Sequence, residues 1–238
     1  MNYQHLLLTV QDHIATVTLN RPPVNAQNAE LRAEITEVFD LLSDRDDVRV
    51  IVLTGAGKVF SAGADIRERP NLAEVPGAYG RHNRLVRETF NAVVECSKPI
   101  VCAINGPAMG AGFGLIMASD IWVASEDAYV SMPEINVGLA GGVSFLQRIF
   151  GQSRARRMFF TGQRLTAADL LRRNVIEDVL PIEQLLPVTM ELAHEIASKA
   201  PLALIYAKRA ANMVEVAVRA NGGDGLLAEN GNLGLDWP

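Results

Sequence analysis

Hydrophobic and polar residues alternate over 14–19, where Ala15, Val17 and Leu19 are separated by Thr16 and Thr18; a short apolar run occupies 6–10. With Gln11, Asp12 and His13 between them, the two runs predict a β-hairpin. Arg21, Pro22 and Pro23 end the second strand. Over 29–43 the period changes. Leu31, Ile35, Val38, Phe39 and Leu42 fall on one helical face, and Asn28 stands where an N-cap belongs. A continuous apolar run at 48–54 predicts a buried strand, closed by Gly55, Ala56 and Gly57, and a second strand follows at 58–60. The polar stretch 67–84 holds Pro70, Pro76, Gly77 and Gly80 and predicts a loop or lid, with a helix from 84 to 95.

The same reading places a strand at 100–104, a turn at Asn105, Gly106 and Pro107, and a buried helix at 109–118. Strands follow at 121–124 and 129–132, then helices at 142–150 and 153–160. Thr166 caps a helix at 167–173, a last strand covers 175–179, and helices cover 187–199 and 201–213. The recurring order is strand, strand, helix. It defines an α/β chain that is neither an alternating βαβ sheet nor a sandwich. The last 18 residues, 221–238, include five glycines and three asparagines and read as a poorly ordered tail.

Composition narrows the partners. With 238 residues, 49 % hydrophobic and 21 % charged, the chain can bury a sizeable core without staples and is not a disordered segment. Net charge is −5 and the basic residues are scattered, which argues against nucleic acid. Cys96 and Cys102 suit a reducing, cytoplasmic setting, and the four histidines lack metal-ligand spacing, so no metal is expected. The N-terminus has no basic n-region, and the charge-free stretch after Ile100 is broken by Asn105, Pro107 and four glycines. Neither a signal peptide nor a membrane partner is expected. There is no G-x-x-x-x-G-K loop, no G-x-S-x-G elbow and no strand-bound G-x-G-x-x-G.

Three places carry candidate chemistry. Gly110, Ala111 and Gly112 open a predicted helix, where the first N–H groups have no internal partner and small residues let a ligand approach the backbone. A tight helix–strand junction packed by small residues explains the same pattern. Gly63 permits an unusual turn just before Ala64. Glu134 follows a predicted strand and Pro133. It reads either as a carboxylate at a helix start or as an acid–base group.

Taken in order, K-V-F-S-A-G-A-D-I at 58–66, I-N-G-P-A-M-G-A-G at 104–112 and M-P-E-I-N-V-G at 132–138 form one pattern. L-N-R-P-P-V-N at 19–25 precedes it; Phe160, Thr161, Gly162 and Ala167, Ala168, Asp169 follow. This pattern resembles the crotonase superfamily, the enoyl-CoA hydratase/isomerase enzymes, over 6–213. The resemblance implies an α/β, crotonase-like spiral of ββα units with the acyl-CoA site over 1–186. A helical C-terminal segment and the glycine-rich tail would occupy 187–238. It implies an acyl-CoA thioester substrate, no cofactor beyond the coenzyme A that the substrate carries, and a homotrimer or hexamer. The implied chemistry is a thioester enolate held in an oxyanion hole by the N–H groups of Ala64 and Ala111. Ser61, Ala62, Ala64 and Ile66 would meet coenzyme A, Arg67 would stand near its phosphates, and Glu134 would face the substrate Cα, its pKa raised by burial.

Two departures matter. Gly114 stands where hydratases of the family usually carry a second glutamate. The resemblance therefore implies either isomerisation of a 3-enoyl-CoA by a one-carboxylate proton shuttle, the logic of Δ3,Δ2-enoyl-CoA isomerases, or hydration of an enoyl-CoA by a route that does not use position 114. Gly142 stands where the hydrolase and dehalogenase branches place an aspartate, and no tyrosine follows Tyr206, as the hydratase-lyase branch would need. A replacement base could come from His82, Glu68, Glu74 or Glu88, and His82 suits best by its pKa. The alternatives are an acyl-CoA binder impaired in catalysis and another enolate reaction: lyase, decarboxylase or racemase. The family's C-terminal helices usually run further than here, and Lys208 marks a place where a basic residue would approach coenzyme A.

Overall fold

Alternation within the apolar runs builds the central sheet. In β3 (Val50–Gly55), Val50 and Val52 join the core on one face while Ile51 and Leu53 join the core on the other. β4 (Ile100–Ile104) repeats this: Val101 and Ala103 face one way, Ile100, Cys102 and Ile104 the other. A sheet apolar on both faces must be covered on both. The computed structural model describes residues 3–68, 75–138 and 143–221. In it α1 (Ala29–Asp44), α2 (Ala78–Glu95) and α3 (Ala111–Ala118) cover one face, and α6 (Ile182–Ala197) covers the other. Asn28 caps α1, its side chain accepting from the Leu31 N–H.

The sheet runs β1 (Leu6–Gln11), β2 (Ile14–Leu19), β3, β4, β6 (Ile121–Ser125), β9 (Asp178–Leu180). β1 and β2 form the antiparallel hairpin, with Leu8 opposite Val17; all later pairings are parallel. A second ladder is made of shorter pieces. Gln27 bridges Ala64, and Ser61 bridges Ala108. β5 (Ala108–Met109) pairs with β7 (Tyr129–Ser131), and β7 with β8 (Leu165–Thr166). Successive stretches of chain thus leave a strand in the large sheet and a short piece in the small ladder before turning into a helix. This is the expected ββα spiral, and it lines up 61–64, 108–111 and the residues after 131. Seven α-helices lie among the described residues, the others being α4 (Val143–Thr161), α5 (Ala167–Leu171) and α7 (Pro201–Asn221).

Several predicted elements shift. Residues 58–60 form no strand, because the Asn25 side chain donates to the carbonyls of Ala56, Val59 and Phe60 and curls the loop around itself. α2 begins at Ala78, after Gly77 at φ 76°, well before residue 84. Packing against α1 supports its polar first turns, which local pattern alone does not. The predicted helix at 109–118 begins only at Ala111, since Ala108 and Met109 pair with β7. The helices at 142–150 and 153–160 run together as α4, kinked at Gly151, whose φ is 69°. The strand predicted at 175–179 is confined to Asp178–Leu180.

α6 starts at Ile182 and runs through Pro187, at the cost of one helical hydrogen bond. The boundary between 186 and 187 therefore falls inside a helix. Leu185, Ala193 and Ala197 of that helix pack on Val50, Val52, Val101, Ala103 and Val123, so both parts share one core. α7 continues to Asn221, and the glycine-rich stretch after it lies outside the described residues. Among the described residues no helix is long and apolar enough to cross a membrane.

Candidate active site

The site grows out of the polar residues that follow β2. Asn25, held at φ 52° and 1 % exposed, organises the loop after β3, and its carbonyl accepts the Ser61 hydroxyl at 2.7 Å. The Ala62 N–H donates to the Val24 carbonyl at 2.9 Å. Gln27 then runs beside the next residues: its N–H donates to Gly63 O at 2.7 Å, and its carbonyl accepts from the Asp65 N–H at 3.0 Å. Asn25 and Gln27 went unassigned in the sequence. The one signal there is a pair of amide side chains just past a strand end.

Two glycines let three chain segments meet. At Gly63, φ 88°, an added Cβ would run into the Met109 carbonyl and lie 3.3 Å from the Ala111 nitrogen. At Gly110, φ 51°, it would overlap Glu134 Oε1 and lie 3.2 Å from Glu134 Cδ. Any larger residue would force these segments apart. The carboxylate of Glu134, carried on the 3₁₀ turn Pro133–Val137, therefore lies on the α-carbon that precedes Ala111. Gly162, at the end of α4, packs on Pro133 and Asn136 of that turn.

Among the described residues, the N–H groups of Ala64 and Ala111 donate to no acceptor. Ala111 is the first residue of α3, where the backbone leaves N–H groups unpaired and the helix dipole favours negative charge. Both alanines are half-exposed. An oxygen gaining negative charge in front of them would find two donors, with Glu134 beside it. The structure thus brings together Ala64, Ala111 and Glu134, which are far apart in the chain.

Residues 61–66 alternate in direction. Ala62, Ala64 and Ile66 face outward, Ile66 being 62 % exposed, whereas Ser61, Gly63 and Asp65 face inward. Ser61, expected to meet the ligand, is buried, with its hydroxyl turned inward to the Asn25 carbonyl. Its N–H donates to Pro107 O and its carbonyl accepts from Met109 N–H, so it joins the two turns. Asp65 sits between Arg67 at 2.6 Å and Arg21 at 3.0 Å. The Arg67 guanidinium holds its carboxyl far below the usual carboxylate range, with Arg21 adding to this against some desolvation. Asp65 is a fixed anion, and it anchors Arg67 at the rim.

The room beyond Gly114 is taken. A Cβ there would lie 2.7 Å from both Cε1 and Cζ of Phe90, on α2. Among the replacement bases, Glu68 accepts the Ala29 N–H at 2.9 Å and so serves the start of α1. Glu88 is exposed beside Arg87. His82 has its Nε2 3.5 Å from Nη1 of Arg32, a buried guanidinium whose pKa burial lowers to about 10. Glu74 and Gly142 lie outside the described residues. Lys208, where a basic residue was expected to approach coenzyme A, is engaged within the fold. Buried, it donates to Lys98 O at 3.0 Å and pairs with Asp120 at 2.9 Å, pinning α7 to the start of β4.

The profile of the Enoyl-CoA hydratase/isomerase family matches residues 9–223. The chain is 33 % identical over 217 residues to the short-chain-enoyl-CoA hydratase of Clostridium acetobutylicum, covering 89 % of this chain and 82 % of that one. It is 34 % identical over 219 residues to the mitochondrial Delta(3,5)-Delta(2,4)-dienoyl-CoA isomerase of Pongo abelii, covering 85 % and 67 %. The crystal structure of an enoyl-CoA hydratase from Bacillus anthracis superposes with a TM-score of 0.82 at 29 % identity, over 94 % of this chain and 91 % of that one.

Proposed function

The chain belongs to the enoyl-CoA hydratase/isomerase family and is an acyl-CoA enzyme; from this premise we propose that it moves the double bond of an enoyl-CoA thioester with Glu134 as its single acid–base carboxylate. The observation that carries this reading is the contrast across the site. Glu134 lies against Gly110, next to the Ala111 N–H, while the ring of Phe90 occupies the room at Gly114 where a second carboxylate would stand. Adding water calls for one group to hold it and another to activate it. Carrying a proton from one carbon to another calls for one.

In this reading the thioester oxygen receives the N–H groups of Ala64 and Ala111. Glu134 takes a proton from Cα of a 3-enoyl-CoA, and the electron pair of that C–H bond moves into the thioester to form the dienolate. The same carboxyl returns the proton to Cγ. The double bond passes from Cβ–Cγ to Cα–Cβ, and no atom is gained or lost. Each preorganised donor contributes about 3–4 kcal/mol to the enolate-like transition state. The outward face of Ala62, Ala64 and Ile66 is the surface we assign to the adenine end of coenzyme A, with Arg67 near its phosphates.

Conversion of 3-enoyl-CoA to the conjugated 2-enoyl-CoA, followed by ultraviolet absorbance, tests the proposal. We expect turnover by the wild-type protein and a fall of about 10²–10⁴-fold in Glu134→Gln. Full activity in that variant would remove Glu134 from its role. Turnover of 2-enoyl-CoA by water addition alone would replace isomerisation by hydration. Acyl-CoA binding without turnover of either would leave a binding protein.

We further read the protein as a cytoplasmic homotrimer or hexamer. Two buried free thiols, Cys96 and Cys102, support a reducing compartment. Exposed Ile135 and Val137 on the Glu134 turn and Phe160 at the end of α4 support a subunit contact near the site.

A further inference from the structure

We propose that Gln27 is a positioning residue that sets the separation of the two N–H donors; this rests on the reading of Ala64 and Ala111 as those donors. The backbone of Gln27 brackets Ala64. It donates to Gly63 O at 2.7 Å and accepts from Asp65 N at 3.0 Å. In a parallel bridge the residue between two such bonds turns its own N–H to the opposite side. Gln27 thereby aims the Ala64 N–H away from itself and toward the site.

The side chain of the same residue crosses to the other donor. Nε2 of Gln27 donates to the Ala111 carbonyl at 3.0 Å, a contact spanning 84 positions in sequence. One residue therefore holds the peptides on both sides of Ala64 with its backbone and the Ala111 carbonyl with its amide. Gly63, packed 3.3 Å from the Ala111 nitrogen by its would-be Cβ, brings the turns together, and Gln27 ties them at that separation.

The burial of this amide argues for position over stability. Gln27 is 0 % exposed, and among the described residues its Oε1 has no hydrogen-bond partner. An apolar side chain of equal length would avoid that desolvation cost. What it would lose is the tie to Ala111.

The test uses Gln27→Met, which keeps length and volume, and Gln27→Leu as a second variant. Thermal unfolding, kcat and KM on 3-enoyl-CoA, and the infrared carbonyl stretch of a bound, non-reacting acyl-CoA thioester are measured for each. We expect unfolding temperatures at or above the wild-type value and KM within about threefold. We expect kcat to fall about 10–100-fold, and the red-shift of the bound carbonyl to shrink. A wild-type red-shift and kcat in the folded variants would overturn the role of Gln27. So would a loss of kcat that only tracks loss of folded protein. If the wild-type protein binds the thioester with no red-shift at all, the assignment of Ala64 and Ala111 fails, and Gln27 with it.

Discussion

At the scale of single residues, the site depends on what small side chains leave room for. Gly114→Glu alone puts a carboxylate into the Phe90 ring and should lower the unfolding temperature through overpacking, about 1–3 kcal/mol, without creating water addition. Gly114→Glu combined with Phe90→Ala opens that room. It should recover part of the stability and bring measurable hydration of 2-enoyl-CoA, seen as loss of the conjugated absorbance. Asp65 offers a pH test. Its carboxyl is held low by Arg67 and Arg21 in the folded chain, so its stabilisation is complete above the unfolded pKa of about 3.9 and is lost as pH falls through the folded value. Asp65→Asn should lower the unfolding temperature by about 2–6 °C at pH 7, and the deficit should shrink below about pH 4. The residues that make these contacts differ in legibility. Ala64 follows Gly63 and Ala111 lies between Gly110 and Gly112, and the motifs around them carry the family resemblance that points to their peptide groups. Asn25 and Gln27 do not, because their role consists of hydrogen bonds to residues 31 to 84 positions away.

At the scale of elements, the spiral aligns turns that share no local signal. The hairpin, α1 and β3 were legible because each satisfies its own periodicity. The start of α2 was not, since its first turns are polar and gain their support from α1. α7 is held by a long-range anchor. Lys208 pairs with Asp120, and Asp120 also accepts the Ile100 N–H at 2.7 Å. Lys208→Met should cost about 1.5–3 kcal/mol of local stability. The check is hydrogen exchange in α7, expected to quicken by about 10–100-fold while the central strands keep their protection.

At the scale of the whole molecule, the covering of the sheet decides what can be separated. α6 supplies Leu185, Ala193 and Ala197 to the face formed by Val50, Val52, Val101, Ala103 and Val123. Ending the chain at residue 186 should expose that face, abolish cooperative unfolding and drive aggregation, measured by calorimetry and light scattering. Light scattering of the intact protein should give a mass of three or six chains. A monomer with full activity would remove the subunit contact from the reading.

The amino-acid sequence by itself determined the α/β class, most strands and helices, and the segments that carry Ala64, Ala111 and Glu134. Those properties are written in nearest-neighbour period, in glycine spacing and in motif order. Only the tertiary structure decided that Ser61 turns inward, that Phe90 fills the space at Gly114, that Lys208 is an anchor and that Gln27 joins the turns of Ala64 and Ala111. The physical reason is the same in each case. A side chain's role there is set by what the spiral stacks against it, and those neighbours lie 24 residues away along the chain for Phe90 and Gly114, 84 for Gln27 and Ala111 and 110 for Lys208 and Lys98.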